Sequence, residues 1–152
     1  MFTTSQEEYQ KVIDATKPEV TKPRILIVDD NMEFLEELQE ILAQSGYDAQ
    51  TLMDSDRALS VAYGQRPELI ILDLKMSPKT GFQVAVDLRN SFYMKDVPII
   101  AMTGFFTEKE HVLMMKLCGI KSFILKPFNP RNLVNKIEFA LGNRKEEYEE
   151  GT

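Results

Sequence analysis

Residues 69–81 read LIILDLKMSPKTG, Leu69 to Gly81, and this stretch joins four large aliphatic side chains directly to a carboxylate. An unbroken apolar run of this length, rich in branched residues, reads as a strand covered on both faces. Asp73 then stands at the end of that strand. A charge at the rim of an apolar layer needs a partner that neutralises it or a task that uses it.

Similar runs recur on both sides: Ile25-Leu26-Ile27-Val28, a weaker one from Asp48 to Leu52, Val97-Pro98-Ile99-Ile100-Ala101-Met102, and Phe123-Ile124-Leu125. The segments between them have helical spacing. Phe34, Leu35, Leu38, Ile41 and Leu42 form one stripe before Gly46. Ser55 to Gly64 carries Ala58, Leu59, Ala62 and Tyr63, and Phe82 to Arg89 carries Phe82, Ala85, Val86 and Leu88. Thr107-Glu108-Lys109-Glu110 spells a capping box before Leu113, Met114, Leu117 and Gly119. Asn129-Pro130 pairs an N-cap with a proline at the first helical position, ahead of Leu133, Val134, Ile137 and Leu141. Strand and helix therefore alternate five times, which predicts an α/β fold. Its core is a doubly wound, five-stranded parallel sheet with helices on both faces and right-handed crossovers.

The chain has 152 residues, enough for one domain with short appendages. The predicted organisation is an N-terminal extension over 1–23, with a short helix near Glu7 to Ala15 whose Tyr9, Val12 and Ile13 share a face. The domain follows over 24–142, and a charged tail over 143–152. Hydrophobic content of 43% and charged content of 28% are those of a globular domain. No apolar stretch approaches the ~20 residues that span a bilayer, and the acidic N-terminus lacks the spelling of a secretory signal. A lone Cys118 cannot form an internal disulfide, which makes a reducing cytoplasm the simplest compartment. A net charge of −6 argues against direct nucleic-acid binding and fits a chain that binds cations or basic surfaces.

In a parallel sheet all strand ends lie along one edge, where open α/β sheets bind ligands. Here those ends carry Asp29-Asp30, Asp73, Thr103 and Lys126-Pro127. Taken singly, the first pair reads as helix N-caps, Asp73 as a turn residue and Thr103 as a structural hydroxyl; their coincidence on one edge is what points to a site. Two carboxylates ~5 Å apart repel by roughly 3 kcal/mol at an effective dielectric near 20. Lys126 offsets part of that, and a hard divalent cation with oxygen ligands, Mg²⁺, suits the rest. The loop DDNMEF has no glycine, so it cannot cradle a phosphate with bare amides.

In order and spacing, IVDDN, LIILDLKM with Gly81, PIIAMTG and FILKPF resemble the receiver domain of two-component response regulators, over Arg24 to Gly142. The resemblance implies that Asp73 accepts a phosphoryl group from a sensor histidine kinase or a histidine phosphotransfer protein. It implies that Asp29, Asp30 and Asp73 hold Mg²⁺ together with the backbone carbonyl of Lys75. Thr103 matches the switch hydroxyl, Lys126 the phosphate-pairing lysine, Lys126-Pro127 the cis-proline site and Phe123 the rotating aromatic. The family activates by phosphorylation and is not a conventional enzyme; its switching face is the fourth helix, fifth strand and fifth helix of the alternating series, also the natural dimer face. The output partner is not named by the sequence, and the chain reads as a stand-alone receiver or a piece of a longer regulator or hybrid kinase.

Departures from the family are Met76-Ser77-Pro78, whose proline sits one place later, Gly104 in place of alanine, and the bulky Phe105 and Phe106. Phe105 and Lys75 are expected to shield an acyl phosphate from water. His111 reads as a surface residue, Cys118 as packed, and the methionines as core filler. Competing readings are a receiver-like module that signals without phosphorylation, an aspartate-nucleophile phosphatase and a flavin carrier. The phosphatase needs an aspartate where Lys75 stands, and DDNMEF would repel a flavin phosphate.

Overall fold

The structure, a computed structural model, describes residues 3–16, 21–104 and 109–142. Five strands, β1 (Arg24–Val28), β2 (Asp48–Leu52), β3 (Leu69–Asp73), β4 (Ile99–Thr103) and β5 (Ser122–Leu125), form one parallel sheet in the order β2-β1-β3-β4-β5. The helices are α1 (Thr3–Thr16), α2 (Met32–Gln44), α3 (Ala58–Gln65), α4 (Gly81–Arg89), α5 (Lys109–Leu117) and α6 (Pro130–Ala140). This is the doubly wound, five-stranded parallel sheet that the alternation predicts.

Period-two alternation within each strand sorts the core into two layers. Leu26, Val28, Ile70, Leu72 and Ala101 pack under α3, α4 and α5. Ile25, Ile27, Ile71, Ile100 and Met102 pack under α2 and α6. Every residue of β3 is buried, including Asp73. Each fully buried Leu or Ile contributes on the order of 2 kcal/mol, which fixes the register in which Asp73 reaches the edge.

Local signals set the helix ends. The Asn31 side chain accepts from the Phe34 amide at 3.1 Å, so Asn31, and not the Asp29-Asp30 pair, is the N-cap of α2. Both halves of a capping box form at α4: Thr80 Oγ1 accepts from the Gln83 amide and Gln83 Oε1 from the Thr80 amide. Asn129 caps α6 with Pro130 behind it, as its sequence predicts. Asn31→Ala is expected to cost about 1 kcal/mol of stability; an unchanged urea midpoint would contradict that role.

Arg66 ends α3 in the left-handed conformation at φ 53°. That backbone costs a non-glycine residue roughly 1 kcal/mol. The Arg66 guanidinium lies 4.6 Å from the Tyr63 ring centre and 4.2 Å from that of Tyr93, and two such contacts at roughly 0.5–1 kcal/mol each offset it. Arg89 closes α4 differently, donating to the carbonyls of Met94, Lys95 and Val97 in the following loop and of Gly119 after α5.

Several expectations need correction. On α3, Ala58 and Ala62 are buried but Leu59 and Tyr63 are exposed; on α4, Val84 is buried and Val86 exposed. On α5, Leu113, Met114 and Leu117 face outward, and Met115 is the buried anchor. Each of these stripes satisfies helical spacing, but spacing alone does not say which side meets the sheet when a helix is apolar on two sides. Met32, Met53 and Met114 are exposed, so the methionines are not all core. His111 is half-buried rather than on the surface. β4 begins at Ile99, two residues after the apolar run starts, and α1 runs beyond Glu7 to Ala15 on both sides. Phe105, Phe106, the Thr107-Glu108 start of the capping box and the tail from Arg144 lie outside the described residues.

Candidate functional site

The strand order reverses between β1 and β3, and the carboxyl ends of those two strands bring Asp29, Asp30 and Asp73 together. One oxygen from each carboxylate lies within 4.8 Å of the other two. Asp29 is 1% exposed and held on three sides: its amide donates to the Leu52 carbonyl, its Oδ1 accepts from the Asn31 amide, and its Oδ2 accepts from Lys126 Nζ at 2.6 Å. Asp30, next along the chain, is exposed. Asp73 is 8% exposed; its Oδ1 accepts from the Lys75 amide at 3.3 Å, and its Oδ2 stands 3.8 Å from Lys126 Nζ.

The Lys126 ammonium therefore reaches both buried carboxylates but is hydrogen-bonded to Asp29. The Lys126 amide donates to the Thr103 carbonyl at 2.7 Å, which seats it beside the buried Thr103. Thr103 pairs with Leu125 and Ala101 with Phe123, so Thr103 and half-buried Phe123 share one face of neighbouring strands. The peptide bond before Pro127 is cis, as the resemblance implies, and so is the one before Pro78. All of Asp29, Asp30, Asp73, Lys75, Thr103 and Lys126 thus gather at one end of the sheet, and Phe123 lies on β5 beneath them.

Burial raises the Asp73 carboxyl to about 6, with the Asp29 charge and then Asp30 adding to the rise; Lys126 and the Lys75 amide oppose it. The folded state therefore binds this proton more tightly than the unfolded chain, whose aspartates ionise near 4. Stability from this group is present below about pH 4 and is lost as pH rises through about 6. Without divalent cations, the unfolding free energy of the protein relative to Asp73→Asn is expected to fall by about 2 kcal/mol across that window. Denaturant titrations of both proteins test it, and a flat or rising difference would contradict the assignment.

Sequence reasoning left three supports unassigned. The Phe34 ring, placed in the core stripe by its spacing, lies 4.3 Å from Lys126 Nζ and meets Phe128 edge-on. Ser55 is buried and accepts from the Lys79 amide at 2.9 Å, tying down the loop after Asp73. A Cβ at Gly81 would overlap the Asp73 carbonyl oxygen and sit 2.8 Å from Leu74 Cα, so the glycine lets α4 start against the backbone of the site.

The geometry is matched by known proteins. The family model described as "Response regulator receiver domain" covers residues 25–138. The alkaline phosphatase synthesis transcriptional regulatory protein PhoP of Bacillus subtilis is 35% identical over 118 residues, 78% of this chain and 48% of its own length. The chain spans about half the length of the curated relatives it matches. The chemotaxis response regulator CheY4 of Vibrio cholerae has a structure that superposes with a TM-score of 0.74 at 30% identity, covering 79% of this chain and 99% of that one. The receiver domain of the Pseudomonas aeruginosa sensor histidine kinase PA1611, described with a magnesium ion coordinated in its active site cleft, superposes with a TM-score of 0.74 at 24% identity, covering 80% and 99%. No helix among the described residues is long and apolar enough to cross a membrane. With its strand order, edge chemistry and relatives in agreement, the chain belongs to the response regulator receiver domain family of two-component systems.

Proposed function

We propose that Asp73 is the phosphoacceptor, taking its phosphoryl group from a sensor histidine kinase or a histidine phosphotransfer protein. The observation that carries this reading is the meeting of three carboxylates and Lys126 at the switch point of the sheet. Residues 24–142 are the working unit, with 1–23 and 143–152 as appendages.

The donor set fits Mg²⁺: oxygen ligands, two of them buried, one of which burial and then the neighbouring Asp29 charge push up to about 6. Asp29, Asp30, Asp73 and the Lys75 backbone carbonyl would hold the ion, which when bound neutralises the acidic cluster and the incoming phosphoryl oxygens. The magnesium-bearing receiver of P. aeruginosa supports this choice of ion.

The chain's own residues do the rest. Ionised Asp73 attacks the phosphorus, the phosphorus–nitrogen bond to the donor histidine breaks, and the imidazole leaves with its electron pair. Lys126 is already within reach of Asp73 Oδ2, so a small shift from Asp29 carries its charge onto the acyl phosphate. Transfer of this kind depends on alignment and charge rather than on an acid–base pair. The chemistry is confined to the chain's own phosphorylation and dephosphorylation. Lys75 shields the product from water; the matching role of Phe105 rests on the sequence.

Thr103 turns towards the phosphoryl group, and Phe123 fills the space beneath it. The face of α5, β5 and α6 then changes shape, as a shift between two packings. Leu113, Met114, Leu117 and Leu125 are exposed on that face, apolar enough to meet an output partner or a second receiver.

Incubation with acetyl phosphate and Mg²⁺ is expected to add one acid-stable, base-labile phosphoryl group, and beryllofluoride with Mg²⁺ to change the elution volume on size exclusion. Uptake undiminished by a chelator would contradict the metal-assisted reading; no uptake under either condition would favour a module that signals without phosphorylation.

A further inference from the structure

The end of the sheet away from Asp73 carries a second surface that the phosphorylation chemistry does not use. Tyr63 meets Tyr93 edge-on at 5.3 Å, and Tyr93 meets Phe92 at 5.4 Å. Leu59 continues the line one turn earlier on α3 and is exposed with them; Phe92 is 75% exposed. Two cations sit on these rings, Arg66 over both tyrosines and Lys95 over Phe92, and neither forms an ion pair among the described residues. The charge of the nearby Asp96 acts on Arg89. The Arg89 bonds to the carbonyls of Met94, Lys95 and Val97 pin the loop that presents Phe92 and Tyr93. The surface is thus a fixed apolar strip with positive charge along it.

The chain also carries an unpartnered counterpart. α1 is a 14-residue helix whose Tyr9, Val12 and Ile13 share one stripe. All three are exposed, Tyr9 at 71%, so the domain to which the helix is attached does not cover them. Glu8 flanks the stripe one turn before Val12, and Glu7, Glu8 and Asp14 against Lys11 leave the helix acidic. An apolar helix face with acidic charge matches an apolar strip with basic charge. The point of attachment is close by: the Arg24 guanidinium, at the start of β1, donates to the Arg66 carbonyl at 2.8 Å.

We infer that α1 of one copy docks on the Tyr63–Arg66–Tyr93–Phe92 surface of a second copy, and that the exchange is reciprocal. One helix on one strip is a small contact; a two-fold arrangement makes it twice, as closed dimers do. Because the surface lies at the amino ends of β3 and β4, a five-residue strand away from Asp73, the dimer leaves the carboxyl edge open to a phosphodonor. It forms without Mg²⁺ or beryllofluoride and stands apart from the proposal for Asp73.

The test is light scattering after size exclusion, from tens to hundreds of micromolar, in the presence of a chelator. The protein is expected to dimerise reversibly. Arg66→Gly relieves the left-handed backbone and keeps the carbonyl that Arg24 uses, which offsets the ring contacts it loses, so it should fold about as well yet associate about tenfold more weakly. Val12→Ser with Ile13→Ser, at exposed positions, should weaken association as much, and raised salt should weaken the unsubstituted dimer. A monomer at every concentration would overturn the inference. So would a dimer indifferent to both variants but lost with Leu117→Ser, which would place the contact on the α5 face. A monomer in which the helix variant exposes Tyr93 would mean that α1 covers its own domain, and would overturn the second copy as occupant.

Discussion

Asp73→Asn is expected to take up no phosphoryl group from acetyl phosphate under conditions that label the unsubstituted protein. The amide of asparagine is not a competent nucleophile, and neither Asp29 nor Asp30 replaces it: Asp29 is bonded to Lys126, and Asp30 is exposed at the rim. The same variant should be more stable than the native chain near neutral pH without divalent cations. It removes a carboxyl that burial and the Asp29 charge hold at about 6, and with it one member of a like-charged cluster. Relief of about 2 kcal/mol corresponds to a thermal midpoint higher by roughly 5–10 °C in a domain of this size. Saturating Mg²⁺ should narrow that gap, because the ion binds the native cluster and not its neutralised form. Labelling at an undiminished level, or a midpoint that drops, would sink the assignment of Asp73.

Gly81→Ala is expected to cost about 3 kcal/mol of stability and to slow phosphorylation by about two orders of magnitude, although residue 81 carries no functional group. The added methyl would overlap the Asp73 carbonyl oxygen and come within 2.8 Å of Leu74 Cα. Backbone on a buried strand cannot swing aside as a flexible side chain can. The Gly81 amide also donates to the Leu74 carbonyl at 3.1 Å, so α4 and the end of β3 must shift together. A displacement of about 1 Å would misplace Asp73, the proposed nucleophile, relative to Lys126 and Asp29. Acetyl phosphate kinetics and denaturant titration on the same protein check both parts; native kinetics with lost stability would make Gly81 a packing residue only.

The sheet was legible in the sequence because fully buried parallel strands leave an unbroken apolar signature, as Leu69 to Leu72 shows. The site was legible for a related reason: strand ends share an edge, so residues far apart in sequence are placed by topology alone. Helix faces were harder to read. α5 is apolar at Leu113, Met114 and Leu117 and also at Met115, and only the packing shows that Met115 points inward. Tyr63 likewise obeys the helical period yet stays outside, edge-on to Tyr93 beneath Arg66. Phe34 could be assigned to a helix stripe but not to Lys126, because nothing in the sequence tells which ring an ammonium will rest on. The close approach of Gly81 to the Asp73 and Leu74 backbone has no spelling beyond the glycine itself.

Carbon-13 NMR of the Asp73 carboxyl, followed through a pH titration with and without Mg²⁺, tests most directly whether the acidic cluster is built around a cation. Without the ion the group should titrate near about 6, well above an ordinary aspartate; with saturating Mg²⁺ its midpoint should fall by more than one unit, because the ion favours the charged form. An ordinary midpoint that Mg²⁺ leaves unmoved would contradict the account.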